Sequence, residues 1–268
     1  MKRTIFLIAL LSSFIACTTN TVTGRKQLAL FPEETLQQQA LTEYGSFLSQ
    51  NKVLNGSTNK DADMVKRVGG RISRAITDYY TQKGLAGELN GYKWEFNLVD
   101  AKEVNAWCMP GGKVVVYTGL LNITQNEAAL AVVMGHEITH AVAHHGNERI
   151  SQVALAQGLE IAGNIFTSND QKANNIFTGI FAPTAQIAVL LPNSRNQEYE
   201  ADHFGLNFAA MAGYNPREAV PFWQRMSAAA GSAKPPEFLA THPSDEKRIT
   251  RLQGYMEEAL TYYKPAGK

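Results

Sequence analysis

Five residues, His136-Glu137-Ile138-Thr139-His140, entered from the apolar run Leu130-Ala131-Val132-Val133-Met134, constrain this chain more than any other stretch. Positions four apart lie on one helical face, so His136 and His140 can grip a single ion. Glu137 is turned about 100° around the axis, placed to reach a water at that ion rather than the ion itself. Two neutral imidazoles with a carboxylate suit zinc, whose catalytic sites keep one position open. Taken alone, the same residues also read as two satisfied histidines and a solvated glutamate on an amphipathic helix. A third ligand decides between the two.

Several residues compete for that place. His144 continues the face of the motif helix, but eight residues span about 12 Å, too far from His136 to share an ion. The metzincin pattern asks for Gly and His three and six residues past the second ligand. Ala143 and Gly146 stand there, which excludes it. Glu160 would suit a thermolysin-like plan, yet Asn164 follows where an Asp is expected. Glu198 and Asp202 are four apart and share a helical face. Glu198 is therefore taken as the third ligand, with Asp202 accepting the free ring N–H of a ligating histidine. Glu200 faces roughly opposite and reads as a surface residue.

The rest of the chain supplies a frame for this helix. Lys2 and Arg3, then Ile5 to Leu11, then small residues up to Ala16, describe a signal peptide over residues 1–16. Ala16-Cys17 resembles a lipobox, with Phe14 where Leu is usual, so Cys17 is the expected site of lipidation; an ordinary cleaved signal is the alternative. Residues 17–31 are polar and Thr-rich and are expected to be a tether, with the folded domain at 32–268. Helices are expected from Pro32 to about Leu48 and from about Asp61 to Tyr80, the second interrupted by Gly69-Gly70. Tyr92, Trp94, Phe96 and Leu98 alternate as a half-buried strand, Pro110-Gly111-Gly112 is a turn, and Val114 to Tyr117 a second strand. From Glu127 onward the pattern is helical, broken near Ser168 to Asp170 and at Pro183, Pro192, Pro216 and Pro235-Pro236. Strands first and helices afterwards give an α+β fold, mainly helical with a small antiparallel sheet. A formal net charge of +1 argues against nucleic-acid binding, and two cysteines build no disulfide framework.

Four blocks together resemble the HtpX-like gluzincin zinc metallopeptidases, the family that includes the CAAX prenyl proteases. They are Asn105-Ala106-Trp107-Cys108-Met109-Pro110-Gly111-Gly112; His136 to His140; Ser194-Arg195-Asn196-Gln197-Glu198-Tyr199-Glu200-Ala201-Asp202; and Thr241-His242-Pro243-Ser244 followed by Arg248-Ile249. They occur in the family's order and cover about residues 60 to 255. The layout is most similar to the family's periplasmic lipoprotein proteases. The resemblance implies one zinc per chain on His136, His140 and Glu198, with Glu137 as the catalytic base. It implies an edge strand at Asn105 and Ala106 that pairs with extended substrates. His242 would be a switch ligand able to take the water position, and Arg248 a residue near the cleft that could stabilise an oxyanion. Residues 168–193 could close over the cleft or pack as an apolar loop. The expected activity is endoproteolysis of misfolded or membrane-associated proteins by a Glu-activated water. The expected place is the periplasmic side of the cell envelope, anchored to the outer membrane through Cys17. A latent, chaperone-like outer-membrane assembly factor is the alternative, and an aminopeptidase a weaker one.

Overall fold

The structure, a computed structural model, describes residues 17–157, 171–181, 194–231, 236–242 and 246–265. The expected signal peptide, Glu160, Asn164, the break at 168–170, Pro183, Pro192, Pro235 and Pro243-Ser244 lie outside the described residues, as does most of 168–193. A hairpin of β1 (Cys17–Thr19) and β2 (Lys26–Leu28) is followed by α1 (Glu33–Gln50), β3 (Val53–Leu54) and α2 (Lys60–Gln82). Strands β4 (Glu95–Val99), β5 (Ala106–Met109) and β6 (Lys113–Tyr117) come next. Then follow α3 (Thr118–Thr124), α4 (Glu127–Val142), α5 (His145–Gln157), α6 (Gln171–Phe181), α7 (Arg195–Met211), α8 (Ala219–Ala230), α9 (Phe238–Thr241) and α10 (Glu246–Tyr262).

The fold is α+β and mainly helical, and its sheet has the order β3-β4-β6-β5. Both outer pairs are antiparallel, whereas the central pair, β4 and β6, is parallel. The reason is the route of the chain. After β4 it passes to the edge, runs back along β5, turns at Gly111 and Gly112, each with φ +80°, and inserts β6 between the two. Only residues without Cβ adopt such angles cheaply. At Gly112 a Cβ would also fall 2.5 Å from the Trp94 ring.

Helix α2 starts on Asn59, whose side chain accepts from the Ala62 amide. It buries Val65, Val68, Ile72 and Ile76 in the main core. The two glycines inside it have different reasons. A Cβ at Gly69 would lie 2.2 Å from Phe96 of β4, while one at Gly70 would meet nothing within 4 Å among the described residues. Helix α4, capped by Asn126, is buried from Ala129 to Val142, because α2, α3, α7, α8 and β5 surround it. Burial on all faces explains why its apolar run shows no amphipathic period.

Residues 17–31 are not a free tether. Asn20 donates to the Ala143 carbonyl (2.8 Å), Arg25 pairs with Glu148 and Glu200, and the Leu30 amide donates to Ser151 Oγ (2.9 Å). These polar groups make the segment look solvated in sequence, yet their partners lie on α5, α7 and the end of α4. The described part of 168–193, helix α6, packs Phe177, Ile180 and Phe181 into a second apolar cluster with Trp107 and Val115.

Candidate metal centre

One turn of α4 brings the His136 and His140 Nε2 atoms to 3.1 Å of each other. Helix α7 delivers the third group. It opens with a capping box, in which Ser194 and Gln197 satisfy each other's backbone amides, and this sets the register that points Glu198 and Asp202 at α4. The two helices touch backbone to backbone: a Cβ at Gly205 would lie 2.6 Å from the His136 nitrogen, and one at Gly135 2.5 Å from the Gly205 carbonyl oxygen. At that separation the Glu198 oxygens stand 3.5 Å from His136 Nε2 and 3.4 Å from His140 Nε2. His242, just past α9, places Nδ1 3.2 Å from His136 Nε2 and 2.9 Å from Glu198 Oε1.

These four buried donors offer ligand atoms all within 4.8 Å of one another. Two ligands each about 2.0–2.1 Å from a tetrahedral zinc sit roughly 3.3 Å apart, so the set fits that ion. Glu137 is buried, and its Oε1 makes no hydrogen bond among the described residues and lies 3.3 Å from His242 Nε2. Burial is the largest influence on it and raises its pKa above the ordinary carboxylate value, against the pull of His242 and His136. A base with an unclaimed oxygen beside the donor cluster is placed to take a proton from water.

The surroundings orient this set. His136 Nδ1 contacts Asp202 Oδ1 at 3.0 Å. Arg248 reaches Asp202 through Nε (2.8 Å) and a terminal nitrogen (2.7 Å), and Glu198 through the other at 2.9 Å. Its guanidinium also lies 3.9 Å over the Trp223 ring. Burial would lift both carboxylates; Arg248, with His242 and His136, holds them below their usual values instead. Arg248, expected as an oxyanion residue, thus directs its guanidinium at the Glu198 and Asp202 carboxylates.

Other expectations shift as well. The chain turns at His144, in the left-handed region with φ 54°, so α4 ends and His144 leaves the ligand face to lie 3.1 Å from Glu33. Glu200 is not a surface residue: it accepts from His145 at 2.8 Å and from Arg25 at 2.6 Å. Asn105 is buried at the start of β5, an end strand of the sheet, and accepts through Oδ1 from the Ala106 amide. All four β5 residues are buried, and the neighbouring Val104 carbonyl accepts from the Phe238 amide.

Arg149 escaped the sequence reading. It is buried, lines one cavity with Glu137, His140, His242, Trp107 and Ile180, and donates to the Ile180 carbonyl, while its Nε has no partner among the described residues. Burial lowers it to about 10. Among the described residues the cavity holds about 30 Å³, room for one or two waters.

A family model described as Peptidase family M48 matches residues 68–256, spanning the motif helix, Glu198, His242 and Arg248. The chain belongs to peptidase family M48. Zinc is the metal that this family uses, and His136, His140, Glu198 and His242 group as its possible site. The chain is 39% identical over 178 residues to the mitochondrial metalloendopeptidase OMA1 of Arabidopsis thaliana, covering 66% of this chain and 35% of that protein. It is 34% identical over 260 residues to the Bos taurus OMA1, covering 89% and 46%. To the beta-barrel assembly-enhancing protease of Escherichia coli it is 29% identical over 184 residues, covering 65% and 37%. The chain thus spans about half the length, or less, of these relatives. Among the described residues no helix is long and apolar enough to cross a membrane.

Proposed function

We propose that the protein is a zinc endopeptidase acting on unfolded or membrane-associated proteins. The reading is supported above all by one observation: the donor atoms of His136, His140 and Glu198 stand at coordination spacing beside the unclaimed Glu137 carboxylate. Zinc, when bound, supplies Lewis-acid polarisation of the scissile carbonyl and acidifies water. Glu137 takes a proton from the attacking water, whose oxygen bonds to the carbonyl carbon. It then hands that proton to the amide nitrogen as the C–N bond breaks. Asp202 keeps the His136 ring turned, and Arg248 keeps Glu198 and Asp202 ionised and in place. Replacing Glu137→Gln is expected to leave zinc affinity intact and lower cleavage of an unfolded protein such as casein by about 10²–10⁴-fold. Undiminished cleavage refutes the assignment.

A latent form of the same site, with chaperone-like binding as its counterpart, is favoured by His242 standing within the donor cluster. His242→Ala is then expected to raise casein cleavage, and unchanged cleavage removes the latency. We propose further that the protein works at the cell envelope, anchored through an acylated Cys17; the lipobox-like Ala16-Cys17 and the likeness to the Escherichia coli protease support this reading. Incorporation of labelled palmitate, lost in Cys17→Ser, tests the anchor.

A further inference from the structure

We propose that His145 and Glu200 are positioning residues for the metal ligand His140, and that Arg25 of the N-terminal hairpin secures the far end of this chain of contacts. The inference rests on the zinc reading of the site. His140 turns Nε2 toward the donor cluster, so its Nδ1 must carry the ring hydrogen. That Nδ1 lies 2.8 Å from His145 Nδ1, which must accept, leaving the His145 hydrogen on Nε2. His145 Nε2 in turn lies 2.8 Å from Glu200 Oε2. One tautomer of each ring satisfies both contacts, and a ring with a fixed N–H has its other nitrogen aimed.

His136 has a carboxylate directly behind it. His140 has one too, displaced outward by one imidazole. The series continues: Arg25 Nε donates to Glu200 at 2.6 Å, and its two terminal nitrogens grip Glu148 at 2.6 Å each. Gln197 Nε2 donates to the same Glu148 at 2.7 Å. His145 is fully buried, so its two polar atoms would be expensive without these partners. The backbone cooperates. The left-handed turn at His144 swings His145 back beside His140, and Asn20 of the hairpin pins that turn through the Ala143 carbonyl. The hairpin therefore touches both the turn and the terminal carboxylate.

The test compares His145→Asn, His145→Phe and Glu200→Gln in the full chain. Asn presents an oxygen near the place of Nδ1 and can still accept from His140; Phe fills the volume and cannot. Zinc affinity is read by chelator competition, ligand geometry by the visible spectrum of the cobalt-substituted protein, and folding by melting of the metal-free form. The expected result for His145→Phe is a 10–100-fold loss of zinc affinity and an altered cobalt spectrum. His145→Asn should stay within a few-fold of wild type, and Glu200→Gln should weaken zinc several-fold. Wild-type affinity in His145→Phe or Glu200→Gln overturns the proposal. So do equal losses in the Asn and Phe variants that track equal losses of metal-free melting temperature, which would mark packing alone. Failure of the wild-type chain to take zinc at all removes the reading beneath it, a separate result.

Discussion

Gly205→Ala isolates the helix crossing that assembles the metal centre. The added methyl carbon would stand 2.6 Å from the His136 nitrogen and 2.8 Å from the Gly135 carbonyl carbon, where ordinary contact begins at 3.4 Å. The deficit is 3.4 − 2.6 = 0.8 Å. Both neighbours are backbone atoms of α4, so no rotamer change relieves the clash and the two helices must part. Overpacking of this kind costs about 1–3 kcal/mol of folding stability. The more telling loss is at the metal, because coordination distances tolerate only about 0.2 Å. If even half of the separation reaches Glu198, one ligand bond is strained beyond that range. Zinc affinity should then fall at least tenfold, or ~1.4 kcal/mol. Chelator competition reads the affinity, and urea unfolding of the metal-free protein reads the fold. Gly70→Ala is the control: its methyl meets open space within α2, so the helix should gain about 0.5–1 kcal/mol with zinc binding unchanged. Wild-type zinc affinity in Gly205→Ala would refute the idea that this crossing sets the ligand distance.

Two further outcomes follow from charges placed away from the ion. Glu148 titrates below its ordinary value, because Arg25 and Gln197 together outweigh the burial that alone would raise it. A lowered folded pKa adds stability above the unfolded value, about 4.3, and loses it as pH falls through the lower folded one. The gap in urea stability between wild type and Arg25→Met should therefore narrow below about pH 4.3, and a gap independent of pH counts against the pairing. Arg149 is a buried cation that forms no ion pair among the described residues. Arg149→Met should keep or raise the melting temperature, because an apolar chain of similar length replaces a buried charge; a large loss of melting temperature would mean that its bond to the Ile180 carbonyl serves the fold.

The parts of the centre that follow a helical period could be read in the sequence. The spacing of His136 and His140, and that of Glu198 and Asp202, each predicts a shared face, and the structure brings those faces together. The alternation from Tyr92 to Leu98 overlaps β4, which begins only at Glu95, leaving Tyr92 to Trp94 before the strand. What depends on contacts between distant segments was not legible. His144-His145 continues the helical pattern without a break, so nothing signals the left-handed turn that redirects His145. Glu200 points away from Glu198 on its own helix and finds its partners on α5 and on the hairpin. Asn20 and Arg25 look solvated because polarity in sequence does not distinguish water from a buried partner. Arg248 was placed near the cleft, but its commitment to two carboxylates follows from where α10 meets α7. The parallel pairing of β4 with β6 depends on an insertion that no local pattern records.

Because the ordered hairpin begins at Cys17 itself, an acyl group there would leave the folded body no slack. Fifteen flexible residues would let a domain wander roughly 20 Å from its attachment point. With that stretch folded down, the molecule would ride flush on the bilayer in a narrow range of orientations. Its working radius would then be its own size, and chains floating free would have to come to the lipid surface to be cut.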